Sequence, residues 1–297
     1  MAVTSSLSSS LSADRLSFLE NAYNSAVSAK RRKTIIGLIL LVIAIIVAGF
    51  VAEVRPVTFI DNVFRFFSYF GRIFTLESGA SVFSDPQEWF WGINKWLVML
   101  WETIIIAYVG TLLGAIFGFI LCFLASANLV SNPWIRLTAK RFLELFRTVP
   151  DLVFALIFVT AFGLGPLPGV LAIAIHTMGA LGKLFSEVVE NISMQPVEGV
   201  SAAGGSWTQT VRFAVVPQVL SNFLSYTLLR FEINVRGAAV MGFVGAGGIG
   251  QDLVEAIRKF YYSDVSALLV LIIATVMVID AITERLRHNV IGLDETK

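Results

Sequence analysis

Long apolar runs dominate the chain, and short segments that carry its charges separate them. These runs cover residues 34–52, 96–125, 150–165, 167–188, 217–240 and 265–283. A helix rises 1.5 Å per residue, so about 20 apolar residues cross a bilayer core of about 30 Å. The pattern therefore predicts an all-α integral membrane protein with about six transmembrane helices.

Composition and charge further limit the class of protein to which the chain can belong. Hydrophobic residues make up 56% of the chain and charged residues 14%, whereas soluble domains are about half apolar and a quarter charged. A net charge of +1 gives no reason to expect a nucleic-acid-binding protein. One cysteine, Cys122, and two histidines, His176 and His288, are too few for a disulfide framework or a clustered metal site. We expect neither a metal nor a cofactor, and membrane lipid is an expected contact.

The chain divides into a tail, a first span with an aromatic surface segment, and a main transmembrane domain. Residues 1–33 are Ser-rich and end in a run of basic residues, which favours a cytoplasmic location. Residues 34–93 hold an uncleaved first span and an interfacial helix on the outer surface around 59–74. Residues 94–288 form the main domain, and 289–297 form a second tail. Six spans and the excess of basic residues beside the inner ends predict that both termini are cytoplasmic.

The connection between the fourth and fifth spans, residues 190–217, has an ordered pattern. Glu198 near a helix start is favoured by the helix dipole, Gly204 permits a sharp turn, and Ser206 can cap a second short helix. Pro217 stands where the next span begins, a position at which its missing N–H costs little. The pattern predicts a rigid helix–turn–helix that docks into a soluble partner. An ordinary cytoplasmic loop is the alternative.

A glycine-rich segment follows the fifth span and contains GFVGAGGIGQDL, residues 242–253. GAGGIG is also typical of dinucleotide-binding turns, but those follow a strand of a soluble βαβ unit. After a membrane span, clustered glycines permit irregular backbone and close helix contact near the outer mouth of a pathway. A flexible outer turn is the alternative.

Both motifs resemble those of one protein family. The sequence EGVSAAGGSWTQTVRFAVVP, residues 198–217, resembles the EAA loop of permease subunits of binding-protein-dependent ABC importers, although Gly199 and Val200 replace its two alanines. The glycine-rich segment and RTVPDLVFALIF, residues 147–158, are similar to phosphonate-type ABC permeases. The resemblance covers residues 57–287.

This resemblance implies a type I ABC importer permease fold in the bacterial cytoplasmic (inner) membrane. It implies a non-catalytic subunit that forms the translocation pathway, in a homodimer with a second permease copy. The expected partners are two ABC ATPase subunits and an extracytoplasmic phosphonate-binding protein. The chain has no GxxxxGK[ST] phosphate loop of its own. Phosphonate is the expected substrate, and phosphite, hypophosphite or phosphate are alternatives.

Two sets of residues carry these functions, and no catalytic residue is expected. The ATPase-coupling residues are Glu198, Gly199, Ala202, Gly204, Ser206, Arg212 and Pro217. The residues of the translocation pathway or its gate are His176, Lys183, Asn234, Arg236, Gly245, Gly247, Gly248 and Gly250.

Ionisable residues at membrane depth are expensive, which is why they are pathway candidates. Packing is the alternative role, because Lys183 with Glu187 and Glu232 with Arg236 have the i, i+4 spacing of ion pairs. Asp280 is expected to pair with Arg285 or Arg287. A secondary transporter and a membrane-embedded enzyme are the competing classes, but the chain shows neither an inverted repeat nor a nucleophile with a base and an orienting group.

Overall fold

A computed structural model describes residues 13–295, and nearly all of them are helical. The helices are α1 (Ala13–Val51), α2 (Pro56–Ile73), α3 (Pro86–Trp89), α4 (Ile93–Ala125), α5 (Pro133–Thr148), α6 (Asp151–Phe162), α7 (Pro166–Glu190), α8 (Gln195–Ala202), α9 (Trp207–Thr210), α10 (Val216–Met241), α11 (Ile249–Lys259) and α12 (Tyr262–Glu295). A π-helical turn, Val211–Val215, joins α9 to α10, and a 3-10 turn, Gly242–Val244, follows α10. Between residues 13 and 295 there is no β-strand.

The chain forms two compact units, with the boundary after Phe67 inside α2. The first unit contains α1, whose apolar part fits the predicted first span. The predicted interfacial helix is confirmed as a helix, since α2 covers Pro56–Ile73. All later helices belong to the second unit.

Four to six segments are long and apolar enough to cross a membrane. Four are single helices, namely α4, α7, α12 and α1 from Ser17 onward. Two further candidates are pairs of helices with a bend between them. The bend angle is 84° between α5 and α6, and 47° between the helix from Trp207 to Val244 and α11. The predicted all-helical membrane fold is therefore confirmed.

The third predicted span, residues 150–165, differs most from the observed structure. Its helix, α6, has 12 residues and rises about 18 Å, which is less than the thickness of a bilayer core. Pro150 separates it from the amphipathic α5, because Val149 before the proline adopts an extended conformation. The sequence pattern identified the apolar half of this element and missed its bend.

Helices α4 and α7 form the centre of the second unit, and glycines bring their backbones together. A Cβ added to Gly110 would lie 2.7 Å from Ile173 Cβ, and one added to Gly114 would lie 2.6 Å from Thr177 Cβ. At Gly118 it would lie 3.0 Å from the backbone nitrogen of Gly182. Small residues spaced by four are a common device for close helix packing in membranes.

Candidate functional site

Residues 195–210 form a compact projection, here called the helical knob. Helix α8 has Glu198 in its first turn, and the chain reverses at Gly204, whose φ of +84° favours glycine. Ser206 then begins α9, where its N–H donates to Gln209 Oε1 at 2.8 Å. The predicted turn and cap are confirmed.

The second helix of the knob is longer than the sequence indicated. Helix α9 continues through the π-helical turn into α10, so one helical segment runs from Trp207 to Val244. In this turn the Val216 N–H donates to the Val211 carbonyl instead of the regular α-helical acceptor. Pro217 comes directly afterwards and has no N–H to donate, and a π-helical turn is one way for a helix to absorb such a break. The prediction of a separate short second helix is therefore wrong, because this helix is continuous with α10.

The knob is fixed to the transmembrane helices by an apolar base. Val197 of α8, together with Val211 and Val215, belongs to a buried cluster that also contains Phe185 and Val189 of α7. The seven predicted coupling residues, in contrast, are all exposed; they are Glu198, Gly199, Ala202, Gly204, Ser206, Arg212 and Pro217. The outer face of the knob is therefore free to contact a partner, while its apolar base is packed against α7.

Long-range hydrogen bonds that the sequence did not reveal also hold the knob. Trp207 Nε1 donates to the carbonyl oxygen of Leu129 at 3.2 Å. The Gln218 amide accepts from the Ser193 N–H at 3.1 Å and donates to the Ser193 carbonyl at 3.3 Å. A tryptophan inside a polar loop was the available signal, but no pattern identifies its partner 78 positions away.

Two of the pathway candidates form ion pairs within their own helices. Lys183 Nζ lies 3.3 Å from Glu187 Oε1 on α7, and Arg236 Nη2 lies 2.6 Å from Glu232 Oε1 on α10. The predicted i, i+4 pairings are confirmed. The Lys183 side chain is half-buried, whereas the Arg236 side chain is exposed.

His176 and Asn234 contact other helices. His176 Nδ1 lies 3.0 Å from the carbonyl oxygen of Val149, at the bend between α5 and α6. Asn234 is 4% exposed and donates to the hydroxyls of Thr111 at 2.8 Å and Thr177 at 2.9 Å. Its amide therefore joins α10 to both α4 and α7.

The glycine-rich segment is closely packed. Gly245, Gly247 and Gly248 have φ values of +80°, +88° and +78°. A Cβ on Gly250 would overlap the carbonyl oxygen of Ala239, and one on Gly248 would overlap Thr103 Oγ1. This degree of contact is unlike that of a flexible turn and leaves no room for larger residues.

Two ionisable side chains of the second unit have buried atoms without a hydrogen-bond partner. They are Asp280, through Oδ1, and Arg230, through Nε. The expected pairing of Asp280 with Arg285 or Arg287 is wrong, since the described residues include no such ion pair. Residues five and seven apart do not meet as i, i+4 pairs do, and Arg285 points to the exposed side of α12.

The fold corresponds to that of type I ABC importer permeases. An inward-facing methionine ABC transporter matches with a TM-score of 0.57 at 19% identity, over 69% of this chain and 98% of that chain. A bacterial ABC transporter involved in the import of the acidic polysaccharide alginate matches with a TM-score of 0.55 at 11% identity, over 84% of this chain and 98% of that chain.

The chain belongs to the family of binding-protein-dependent transport system inner membrane components, whose model matches residues 110–291. It is 39% identical to the phosphite transport system permease protein of Stutzerimonas stutzeri, over 67% of this chain and 73% of that protein. A protein named as a cryptic phosphonate transport system permease of Escherichia coli (strain K12) is 51% identical, over 41% of this chain and 99% of that protein. The phosphate-import permease protein of Mycolicibacterium smegmatis is 42% identical, over 54% of this chain and 30% of that protein. The chain is thus a multi-pass permease subunit of an ABC importer.

Proposed function

We propose that this permease carries phosphonates or a closely related phosphorus oxyanion. The observation that carries the proposal is the similarity, at 39–51% identity, to permeases named for phosphite, phosphonate and phosphate transport. Phosphite is the second candidate, because the phosphite permease aligns over a larger share of this chain, 67% against 41% for the phosphonate permease. Phosphate and hypophosphite complete the panel of substrates to test.

The permease acts in this proposal as a homodimer with two ATPase subunits and an extracytoplasmic binding protein. Each chain has one helical knob among its described residues, so each permease copy engages one ATPase copy. Two copies then enclose a pathway between them, and the binding protein delivers the anion from outside.

Coupling to the ATPase is assigned to the exposed face of the helical knob. Its residues are Glu198, Gly199, Ala202, Gly204 and Ser206, and the exposed Arg212 and Pro217, which follow the knob, complete the docking surface. When ATP binding closes the two ATPase subunits, the docked knobs move together. Because the knob continues through the π-helical turn into α10, its displacement reaches the membrane-spanning bundle directly.

The pathway runs along the faces of α7 and α10. His176, Lys183 and Arg236 supply hydrogen-bond donors beside it, and Asn234 fixes the spacing of the helices that form it. Gly245, Gly247, Gly248 and Gly250 shape a narrow outer gate, since their close contacts allow only backbone at that point.

The knob lies on the cytoplasmic side in this proposal, together with both termini. The corresponding division of the chain is a cytoplasmic tail (1–33), a first span with an interfacial helix (34–93), the main domain (94–288) and a second tail (289–297). The run of basic residues before the first span supports this orientation.

Growth and labelled uptake in cells with and without this gene test the substrate. The panel contains methylphosphonate, phosphite, hypophosphite and phosphate as sole phosphorus sources. Loss on methylphosphonate alone supports the leading proposal, and loss on one of the other three identifies the alternative. Normal uptake of all four in a strain that lacks other phosphorus importers would contradict the proposal.

A further inference from the structure

Arg230 of α10 is a half-buried cation whose Nε has no hydrogen-bond partner among the described residues. Its Nε is buried without a hydrogen bond, and no carboxylate of the described residues lies within 4.0 Å of its guanidinium. A buried charge without a partner is strongly unfavourable, and an arginine at membrane depth normally lines a pathway or binds a counter-ion. Packing alone gives no reason to retain an arginine here.

The charged groups around Arg230 gather at the bend between α5 and α6. Arg230 interacts electrostatically with Asp151, the first residue of α6, and with His176 of α7. The Asp151 carboxylate also lies against α10, where a Cβ on Gly237 would be 3.4 Å from its Oδ2. His176 uses Nδ1 for the Val149 carbonyl, so Nε2 is its remaining polar atom.

A polar cavity of about 540 Å³ lies between α7 and the first half of α10. Its α10 wall includes Gln218, Asn222 and Tyr226, each one helical turn after the previous one, and Arg230 occupies the next turn. Glu187 of α7 faces the same cavity. The stripe of polar side chains therefore leads from the base of the helical knob to Arg230.

A second cavity differs in having an almost wholly apolar lining. A cavity of about 670 Å³ between α4, α10 and α12 is lined by apolar side chains, four threonines and one tyrosine, and has no charged group. The hydroxyls of Thr111, Thr227 and Thr283 in its wall already donate to carbonyls of their own helices. An anion would find no free cation there.

We propose that Arg230, with His176 beside it and Asp151 as a competing charge, forms a transient binding position for the transported phosphorus oxyanion. A guanidinium presents paired N–H donors that match two oxygens of a phosphonate or phosphate group. Asp151 repels an anion and competes for Arg230, which keeps the residence time short. A transport site must bind well enough to admit its ligand and weakly enough to release it. This inference rests on the proposed function and adds two residues, Arg230 and Asp151, to the pathway.

Direct binding to the purified permease–ATPase complex, without the binding protein, tests the position. Complexes in lipid nanodiscs are dialysed to equilibrium against labelled methylphosphonate, inorganic phosphate and sulfate. Arg230→Gln is expected to weaken phosphonate and phosphate binding about tenfold or more, since hydrogen bonds to charged groups are the strong ones. Arg230→Lys should retain part of the affinity. Arg141→Gln is the matched control, because Arg141 is exposed on α5 and pairs with Glu144.

Asp151→Asn separates a binding role from a structural one. Removing the competing carboxylate should tighten anion binding about three- to tenfold, a gain that a damaged protein does not give. Unchanged affinity in Arg230→Gln, or no gain in Asp151→Asn, overturns the proposed position. So does a wild-type complex that binds none of the three anions, even if cells need the gene for phosphonate uptake, in which case the proposed function stands. Binding of sulfate alone through Arg230 overturns the phosphorus substrate class.

Discussion

Polar side chains within the candidate spans either complete their hydrogen bonds inside the protein or leave them open. Asn234 belongs to the first group, since both of its amide donations go to threonine hydroxyls. Arg230 belongs to the second. Only side chains with open hydrogen bonds have donors free for a ligand. The hydrogen-bond partners of a polar side chain therefore distinguish a packing role from a transport role better than its charge does.

Asn234→Ala is expected to lower the free energy of unfolding by about 1–3 kcal/mol, because two buried hydrogen bonds between helices are lost. The thermal unfolding midpoint of the purified permease measures the effect. Asn222→Ala is the control, since Asn222 is exposed on the same helix. Equal midpoints for the two variants would contradict the assignment of Asn234 to helix packing.

Close packing in the glycine-rich segment predicts that the loss of stability caused by an added side chain depends on which glycine is replaced. Gly163 and Gly248 have similar φ values of +87° and +78°, but a Cβ on Gly163 would meet nothing within 4 Å. Gly163→Ala should therefore cost only backbone strain, about 1–3 kcal/mol.

Gly248→Ala should cost about 1–3 kcal/mol more, because its Cβ overlaps Thr103 Oγ1. Uptake should fall in Gly248→Ala while co-purification with the ATPase continues. The comparison of unfolding midpoints and labelled uptake checks both effects. If the two alanine variants behave alike, the segment is an ordinary turn.

At the scale of the element, the helical knob combines an apolar base with an exposed face. The apolar base is shared with α7, and the helix that leaves the knob continues as α10. A substitution on the exposed face should therefore affect docking without affecting insertion or folding.

Glu198→Arg should strongly reduce co-purification of the ATPase, because it reverses the charge at the first turn of α8. Membrane insertion should remain at wild-type levels, and the unfolding midpoint should fall only slightly, because the helix dipole favours an acidic residue at this position. Glu77→Arg serves as the control, since Glu77 is also exposed but lies outside the knob. Recovery of the ATPase with Glu198→Arg at wild-type levels would remove Glu198 from the docking surface.

Local signals in the sequence predicted elements well, and long-range contacts escaped them. The spans predicted at 96–125 and 167–188 match α4 and α7 within a few residues, because hydropathy decides both. The turn at Gly204 was predictable because its chemistry is contained in a few adjacent residues. The 84° bend after α5 and the Trp207 bond to Leu129 depend on tertiary packing, which no local pattern encodes.

The same distinction between local signals and long-range contacts applies to the candidate site. The i, i+4 partners of Lys183 and Arg236 were visible in the sequence. The isolation of Arg230 was not, because it depends on which side chains of α6 and α7 face it. An unpaired charge can be recognised only when its whole surroundings are known.

At the scale of the whole molecule, the proposed coupling surface and the proposed pathway occupy different parts of the second unit. The helical knob is exposed and has its own apolar base, whereas the polar cavity lies between α7 and α10. The helix from Trp207 to Val244 contributes to both. This continuity supports a permease in which an external ATPase moves the walls of the pathway without entering it.

ATP-dependent uptake in proteoliposomes tests this account most directly. The permease is reconstituted with its ATPase, ATP is enclosed, and labelled methylphosphonate is added outside with the binding protein. We predict uptake that requires both ATP and the binding protein and that continues after an ionophore has collapsed ion gradients. Uptake that proceeds without ATP and stops with the ionophore would contradict the account and identify a secondary transporter.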